Sequence, residues 1–288
     1  MKRLKHLLIS LFLLSAAFSY GESINPLIQN KQGLFLTEYT DKTKYIEHGI
    51  EVNSKLADEG FVLLKNDGTL PLKKGTKISL CGKSSMHGLA RGGTGAAAGS
   101  ISAGVNSIDL EQSLTSAGFE VNPDLISFYR DTNRSGKGRM TGNDGWRGNS
   151  EYIIGETPWA NYGSDLIESF KNYSDVGIQV ISREGSEGCD LKTIDSSDDI
   201  KFGFSNKHSL ELSDNEKDLF DHLHTLVKKI VIVINSSNPI ECGELLKDEK
   251  VAGILWIGNP GDVGPGAVGR ILSGEVNPSG HLVDTWSR

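Results

Sequence analysis

The stretch "IVIVIN", residues 230–235, carries no polar side chain before its last position. A strand with one face in water alternates apolar and polar residues, so a run like this predicts a strand covered on both faces. "VAGILWIG" (251–258) repeats the pattern. Upstream, "LSDNEKDLFDHLHTLVKK" (212–229) predicts an amphipathic helix. Ser213 and Glu216 have the spacing of a capping box, and Leu219, Phe220, Leu223 and Leu226 form the apolar stripe. Downstream, "GDVGPGAVGRILSG" (261–274) predicts a short helix stopping at Gly274.

The same alternation extends toward the N-terminus. "VGIQVIS" (176–182) and "KISLCG" (77–82) read as strands, and "FVLLKNDGTLPL" (61–72) as a short strand with a turn at Asp67-Gly68. "FEV" begins another extended segment. Helices are predicted over "YIEHGIEVNSKLADEG" (45–60), with a stripe of Ile46, Ile50, Leu56 and Ala57, and over "SIDLEQSLTSAG" (107–118), with Leu110, Leu114 and Ala117 inward. "YGSDLIESFKNYS" (162–174) is a third, with Leu166, Ile167 and Phe170 inward. Residues 131–160 are polar and Gly-rich and read as a long surface insertion. Strands alternating with helices predict an α/β fold: a three-layer α/β/α sandwich around a mostly parallel sheet. Ligands of such folds bind beyond the carboxyl ends of the strands.

"ISREGSEGCDLK" (181–192) follows one of those strands, and it sets Glu184, Glu187 and Asp190 among glycines. A solvated turn would account for three acids. A functional reading needs a carboxyl that holds a proton near neutral pH. Glu184 and Asp190, each three residues from Glu187, supply like charge that raises its pKa. Arg183 is positioned in sequence to offset the cluster.

Composition narrows the function classes. Of 288 residues, 37% are hydrophobic and 23% charged, as in a soluble globular protein. "MKRLKH", the apolar "LLISLFLLSAAF" and a small-residue site ending at Gly21 predict a signal peptide over 1–21 and an exported protein without a stable membrane anchor. A 22–44 extension and a sandwich domain over 45–288 would follow. Cleavage leaves 27 of the 30 basic residues against 37 acidic ones, a net charge of −10. Such a surface has no means of neutralising phosphates, so no nucleic-acid partner is expected.

Cys81, Cys189 and Cys242 lack metal-ligand spacing, and His222 and His224, two apart, do not share a helix face. Neither a metal nor a cofactor is expected. The Gly-rich loop "RGGTGAAAGS" (91–100) formally matches a dinucleotide fingerprint at Gly93, Gly95 and Ala98, but it starts about ten residues after its strand rather than at once. A backbone loop lining a pocket for a neutral ligand fits better. Arg91 and Gly92 are its candidate substrate-binding residues, with Arg91 offering fixed donors to hydroxyls.

"LADEGFVLLKNDGTLPL", "RGGTG", "ISREGSEGCDL", "LSDNEKDLF", "GNPGDVG" and "EVNPSGHLVDTW" occur in an order that resembles the α/β-sandwich domain of glycoside hydrolase family 3. That family includes β-glucosidases, β-xylosidases and N-acetylglucosaminidases. The resemblance covers residues 45–288. "IIGETP" and "GHLVDTW" are similar to β-glucosidase-type members in which the sandwich precedes the catalytic barrel. The resemblance implies a β-linked oligosaccharide or glucoside substrate and a retaining mechanism. It makes Glu187 the general acid/base, with Ser186 where the family has glycine, and Asp190 the loop's aspartate, a candidate substrate ligand. The nucleophile would come from a (β/α)8 barrel, and too few residues lie outside the sandwich for one. The expectation is half an active site, completed by a barrel in cis or trans. A carbohydrate-binding module without catalysis, or a nucleotide-binding α/β protein, would use the same loops differently.

Overall fold

A computed structural model describes residues 39, 41–86, 89–92, 104–136, 140–141, 152–153, 155–183 and 208–286. The predicted signal peptide, Glu184, Glu187, Asp190 and Gly93, Gly95 and Ala98 of the Gly-rich loop lie outside them. The chain divides into two units, Met1–Ile50 and Glu51–Arg288. In the first, the Tyr39 ring stacks on His48 at 5.0 Å. Helix α1 (Lys42–Gly60) begins there and ends in the second.

In the second unit the strands are β1 (Val62–Asn66), β2 (Lys77–Cys81), β3 (Glu120–Val121), β4 (Met140–Thr141), β5 (Tyr152–Ile153), β6 (Val176–Arg183), β7 (Lys229–Ser236) and β8 (Val251–Trp256). Its helices are α2 (Leu110–Ser116), α3 (Pro123–Arg130), α4 (Thr132–Ser135), α5 (Ser164–Ser169), α6 (Asp214–Leu226), α7 (Gly243–Lys247) and α8 (Gly266–Ser273). Six strands form one sheet in the order β1-β8-β7-β6-β2-β3, and β4 and β5 pair as a separate antiparallel ribbon inside the polar insertion. Every pairing in the large sheet is parallel except β1 with β8.

Alternation along β7 shows why "IVIVIN" is apolar throughout. Val231 and Val233 point into one cluster, with α2 and α8; Ile230, Ile232 and Ile234 point into a second, with α3, α5 and α6. Two helical layers cover the sheet, as predicted. Burying a side chain of this size contributes roughly 1.5–3 kcal/mol, and all five are fully buried. Helix α6 starts where the capping box places it: Ser213 Oγ accepts from Glu216 N, and the Glu216 carboxylate accepts from Ser213 N. Helix α8 ends at Gly274, whose φ of 77° suits glycine.

Helix α1 departs from its predicted stripe. Ala57 is buried, but Leu56 is 64% and Ile46 39% exposed. Neighbours such as Leu56 and Ala57 lie 100° apart around a helix and do not share a narrow face. The end of α1 is held instead by Arg270 of α8, which donates to Asp58 Oδ1 at 2.7 Å and to Ser54 Oγ at 2.8 Å.

Strand β2 leads through α2 to β3 on one side, whereas β6 leads through α6 to β7 on the other. The chain therefore reverses its direction of travel between neighbours β2 and β6. Crevices at the carboxyl ends of such strands are where open α/β sheets bind ligands.

Candidate functional site

Four parallel strands bring their carboxyl ends to this edge: β2 at Cys81, β6 at Arg183, β7 at Ser236 and β8 at Trp256. Asn235 ties the segments that follow β2 and β8 to strand β6. Its Oδ1 accepts from Ala90 N at 2.6 Å and Ser182 Oγ at 3.0 Å, and its Nδ2 donates to Ala90 O at 2.8 Å and Gly258 O at 2.6 Å. Asn235 is fully buried. Leucine there would fill a similar volume but leave those groups unpaired. Asn235→Leu is expected to lower stability by about 3 kcal/mol, measured by urea unfolding.

Arg91 and Gly92, the predicted binding residues of the loop after β2, pack against the loop after β8. The Arg91 guanidinium donates to the carbonyls of Ile108, Gly261 and Asp262 at 3.2–3.3 Å, and Arg91 O accepts from Gly261 N at 2.6 Å. Arg91 is 8% exposed, and this burial lowers its pKa. Gly92 has φ +90°, and a Cβ there would lie 3.0 Å from Cβ of Asn259. The two residues thus pin one loop to the other and fix where the Gly-rich run departs.

Arg183 closes β6. Odd positions of β6 face α6: a Cβ on Gly177 would meet Val227 and Leu223, and Gln179 Nε2 donates to Glu216 O at 2.8 Å. By the same period Arg183 points at the start of α6. Its Nη1 and Nη2 donate to Glu216 Oε1 and Oε2 at 2.7 and 2.6 Å, a two-pronged ion pair with both side chains buried. The other donors meet the carbonyls of Ser182, Ser209 and Glu211 at 2.9, 2.5 and 2.8 Å. The sequence suggests that Arg183 offsets the acids just after it; those acids lie outside the described residues, and among the described ones its ion pair is with Glu216.

Beside this pair lies Glu156, in the insertion predicted to be surface. It is buried, and its carboxylate accepts from Lys83 N at 3.0 Å and Thr157 N at 2.7 Å. Burial, then repulsion from Glu216, pushes its pKa up to about 8. Lys83 is fully buried, donating from Nζ to Tyr129 O at 2.8 Å and Ser135 Oγ at 2.5 Å, and burial lowers its pKa to about 8. The Tyr129 and Tyr162 hydroxyls hydrogen-bond to each other, and burial raises both.

Of the remaining candidates, Cys81 ends β2 at this edge, while His222 and His224 lie along α6. Cys81 and Cys242 are buried thiols with raised pKa values, the state of an unreactive cysteine; Cys189 lies outside the described residues. His222 stacks on Trp159 at 3.9 Å, and His224 lies 3.0 Å from Asp248. Among the described residues no cluster of three His, Cys, Asp or Glu side chains is set to hold a metal. Nor is any described helix long and apolar enough to cross a membrane.

Sequence reasoning missed Asn235, Lys83, Glu156 and the role of Arg183. Glu216 did carry a signal, as the third helical residue of a capping box. Nothing in the sequence says that the same carboxylate also holds an arginine 33 positions away.

The model of the glycosyl hydrolase family 3 C-terminal domain matches residues 61–288. β-Glucosidase A of Butyrivibrio fibrisolvens is 26% identical over 280 residues, covering 90% of this chain and 31% of that protein. A β-glucosidase of Ruminococcus albus is 28% identical over 249 residues, 85% of this chain and 23% of its own length. The chain therefore spans about a third or less of the length of these relatives. Among solved structures, β-glucosidase 3B of Thermotoga neapolitana in complex with α-D-glucose superposes with a TM-score of 0.61 at 26% identity, over 87% of this chain and 32% of that one. With a matching sandwich fold and a family model spanning most of its length, the chain belongs to glycosyl hydrolase family 3 as that family's C-terminal domain.

Proposed function

We propose that this chain is the sandwich domain of an exported β-glucosidase-like hydrolase and that Glu187 is its general acid/base. The observation that carries the reading is positional. The segment bearing Glu187 starts at Arg183, the last residue of β6, on the carboxyl edge where the chain reverses direction. Its "SREGSEGCD" wording matches the loop that supplies the acid in the family, and relatives named as β-glucosidases cover this segment.

In a retaining hydrolysis a carboxylate attacks the anomeric carbon while an acid protonates the departing oxygen; the same residue then takes a proton from water as the glycosyl-enzyme bond breaks. The two carboxyl groups stand about 5 Å apart on opposite sides of the ring. Glu184 and Asp190 belong to the same short segment as Glu187 and do not flank a sugar from its other side. The nucleophile therefore comes from a barrel domain, in cis or trans. Asp190 takes a substrate hydroxyl, and Arg91 and Gly92 hold the loop after β2 against the loop after β8 at the same edge.

With a family 3 barrel fused after the sandwich, Glu187→Gln is expected to slow hydrolysis of an alkyl β-glucoside about 10³-fold, at the upper part of the range for proton transfer. It should slow a dinitrophenyl β-glucoside far less, and azide should restore turnover of the latter as the glycosyl azide. Equal loss on both substrates without azide rescue would remove Glu187 from this role. Cellobiose binding to the unfused chain, with no turnover in the fusion, would favour a carbohydrate-binding module.

A further inference from the structure

We propose that residues 155–162 form a strap across the carboxyl end of β2 and the start of α6, and that the Glu156 carboxyl group is its latch: it holds the strap closed while it carries a proton and lets the strap lift once ionised. The segment enters at Gly155, whose φ of 64° turns the backbone inward. One residue then ties it to both elements. The Glu156 carboxyl group accepts from Lys83 N, in the turn that leaves β2, and Glu156 O accepts from Asn215 Nδ2 at 3.2 Å in the first turn of α6. The strap's other hold on α6 is a ring contact, Trp159 on His222 at 3.9 Å, and Trp159 is only partly buried. Thr157 and Asn161 donate elsewhere, to the carbonyls of Ser135 and Arg134.

What makes this contact a latch is the set of groups around it. Among the described residues, Glu156 is faced by Cys81 and Lys83 from the end of β2, Tyr129 from α3, Tyr162 from the strap and Glu216 from α6. Behind them, Arg183 of β6 pairs with Glu216, and Asp131 acts on Lys83. The Lys83 ammonium is turned to Tyr129 O and Ser135 Oγ rather than to the carboxyl group. A proton on Glu156 therefore spares the closed strap a buried anion that repels Glu216. In the lifted strap water solvates the carboxylate, and its pKa returns from about 8 toward 4.5. Between those values each opening releases a proton, so opening becomes about tenfold more favourable per pH unit, and above 8 it levels. Lys83 has its partners outside the strap and titrates alike in both positions. Lifting uncovers the carboxyl end of β2, beside the reversal where open α/β sheets take ligands. The strap is thus a pH-set gate on that crevice.

Amide hydrogen exchange of the full chain, followed by NMR from pH 5 to 9, tests the latch. The reporters are the Lys83 and Thr157 amides, which donate to the Glu156 carboxyl group; the Ile232 amide of β7 stands for global unfolding. Protection factors remove the pH dependence of exchange itself. Those of the two reporters should lie far below that of Ile232 and depend little on urea, the mark of a local opening. They should fall about tenfold per pH unit up to pH 8 and no further. In Glu156→Gln the slope should vanish. Imidazole also changes charge between pH 5 and 8, so His222→Phe, which keeps a ring on Trp159, is the control and should keep the slope. Protection independent of pH, reporters that exchange only together with Ile232, or a slope lost in His222→Phe would each overturn the proposal. Should Glu156→Gln fail to fold, the wild-type slope, its end at pH 8 and the His222→Phe control still decide.

Discussion

Arg183→Met is expected to lower the unfolding free energy by about 3–5 kcal/mol, among the largest effects of any single substitution in this chain. Methionine matches the arginine stem but brings no donors. Glu216 would be left as a buried carboxylate without its cation, and the carbonyls of Ser182, Ser209 and Glu211 would each lose a hydrogen bond. The double variant with Glu216→Gln should recover most of the loss, because what costs stability is the uncompensated charge rather than the absence of a pair. Urea unfolding of the three variants measures this. A single-variant loss under about 1 kcal/mol would mean that water or another cation reaches Glu216.

A comparable effect is expected from pH, through Glu156. Its folded pKa of about 8 stands above its ordinary value of 4.5. Between those values the folded chain holds a proton that the unfolded chain has released. The stabilisation is therefore complete below pH 4.5 and lost as pH rises through 8. Lys83 acts with the opposite sign and in a different window. Its folded pKa of about 8 lies below 10.5, so its cost is present at low pH and is relieved between 8 and 10.5. Unfolding free energy should accordingly decline from pH 5 to pH 8 by a few kcal/mol and rise again between pH 8 and 10.5 as the Lys83 cost is relieved. Glu156→Gln should flatten the decline. It should be less stable than wild type at pH 5, since an amide offers one acceptor where the carboxyl group meets two backbone N–H groups. The difference should shrink or reverse by pH 8. Thermal melts of both proteins across this range show the crossing; parallel curves would mean that Glu156 is not the titrating group.

The elements legible in the sequence were those whose cause is local. "IVIVIN" and "VAGILWIG" could only be doubly covered strands, and Ser213 and Glu216 mark the start of α6 because a cap is a contact within four residues. The antiparallel direction of β1 was not legible, since an apolar run reads the same either way. Helix α3 had signals that passed unread: Asn122 as its cap, accepting from Asp124 N, and Pro123 in its first turn. The insertion over 131–160 reads as surface because it is polar, yet Glu156 and Thr157 are buried in it. Their partners, Lys83 and Ser135, lie 73 and 22 residues away, so no local pattern announces them. The site divides in the same way. Its place at the carboxyl edge followed from the strand pattern. The choice of Glu187 came from family resemblance, and the Arg183–Glu216 pair was visible only once the fold had brought β6 against α6.

The central claim is that this domain gives the proton and a barrel gives the nucleophile. The most direct measurement is turnover of a dinitrophenyl β-glucoside by the 288-residue chain and by the same chain with a family 3 barrel fused after Arg288. The account predicts no turnover above buffer for the chain by itself, and turnover by the fusion that is lost when the barrel's own nucleophilic carboxylate is replaced. Hydrolysis by the unfused chain, abolished in Glu187→Gln, would contradict it, because both carboxyl groups would then have to come from this sandwich.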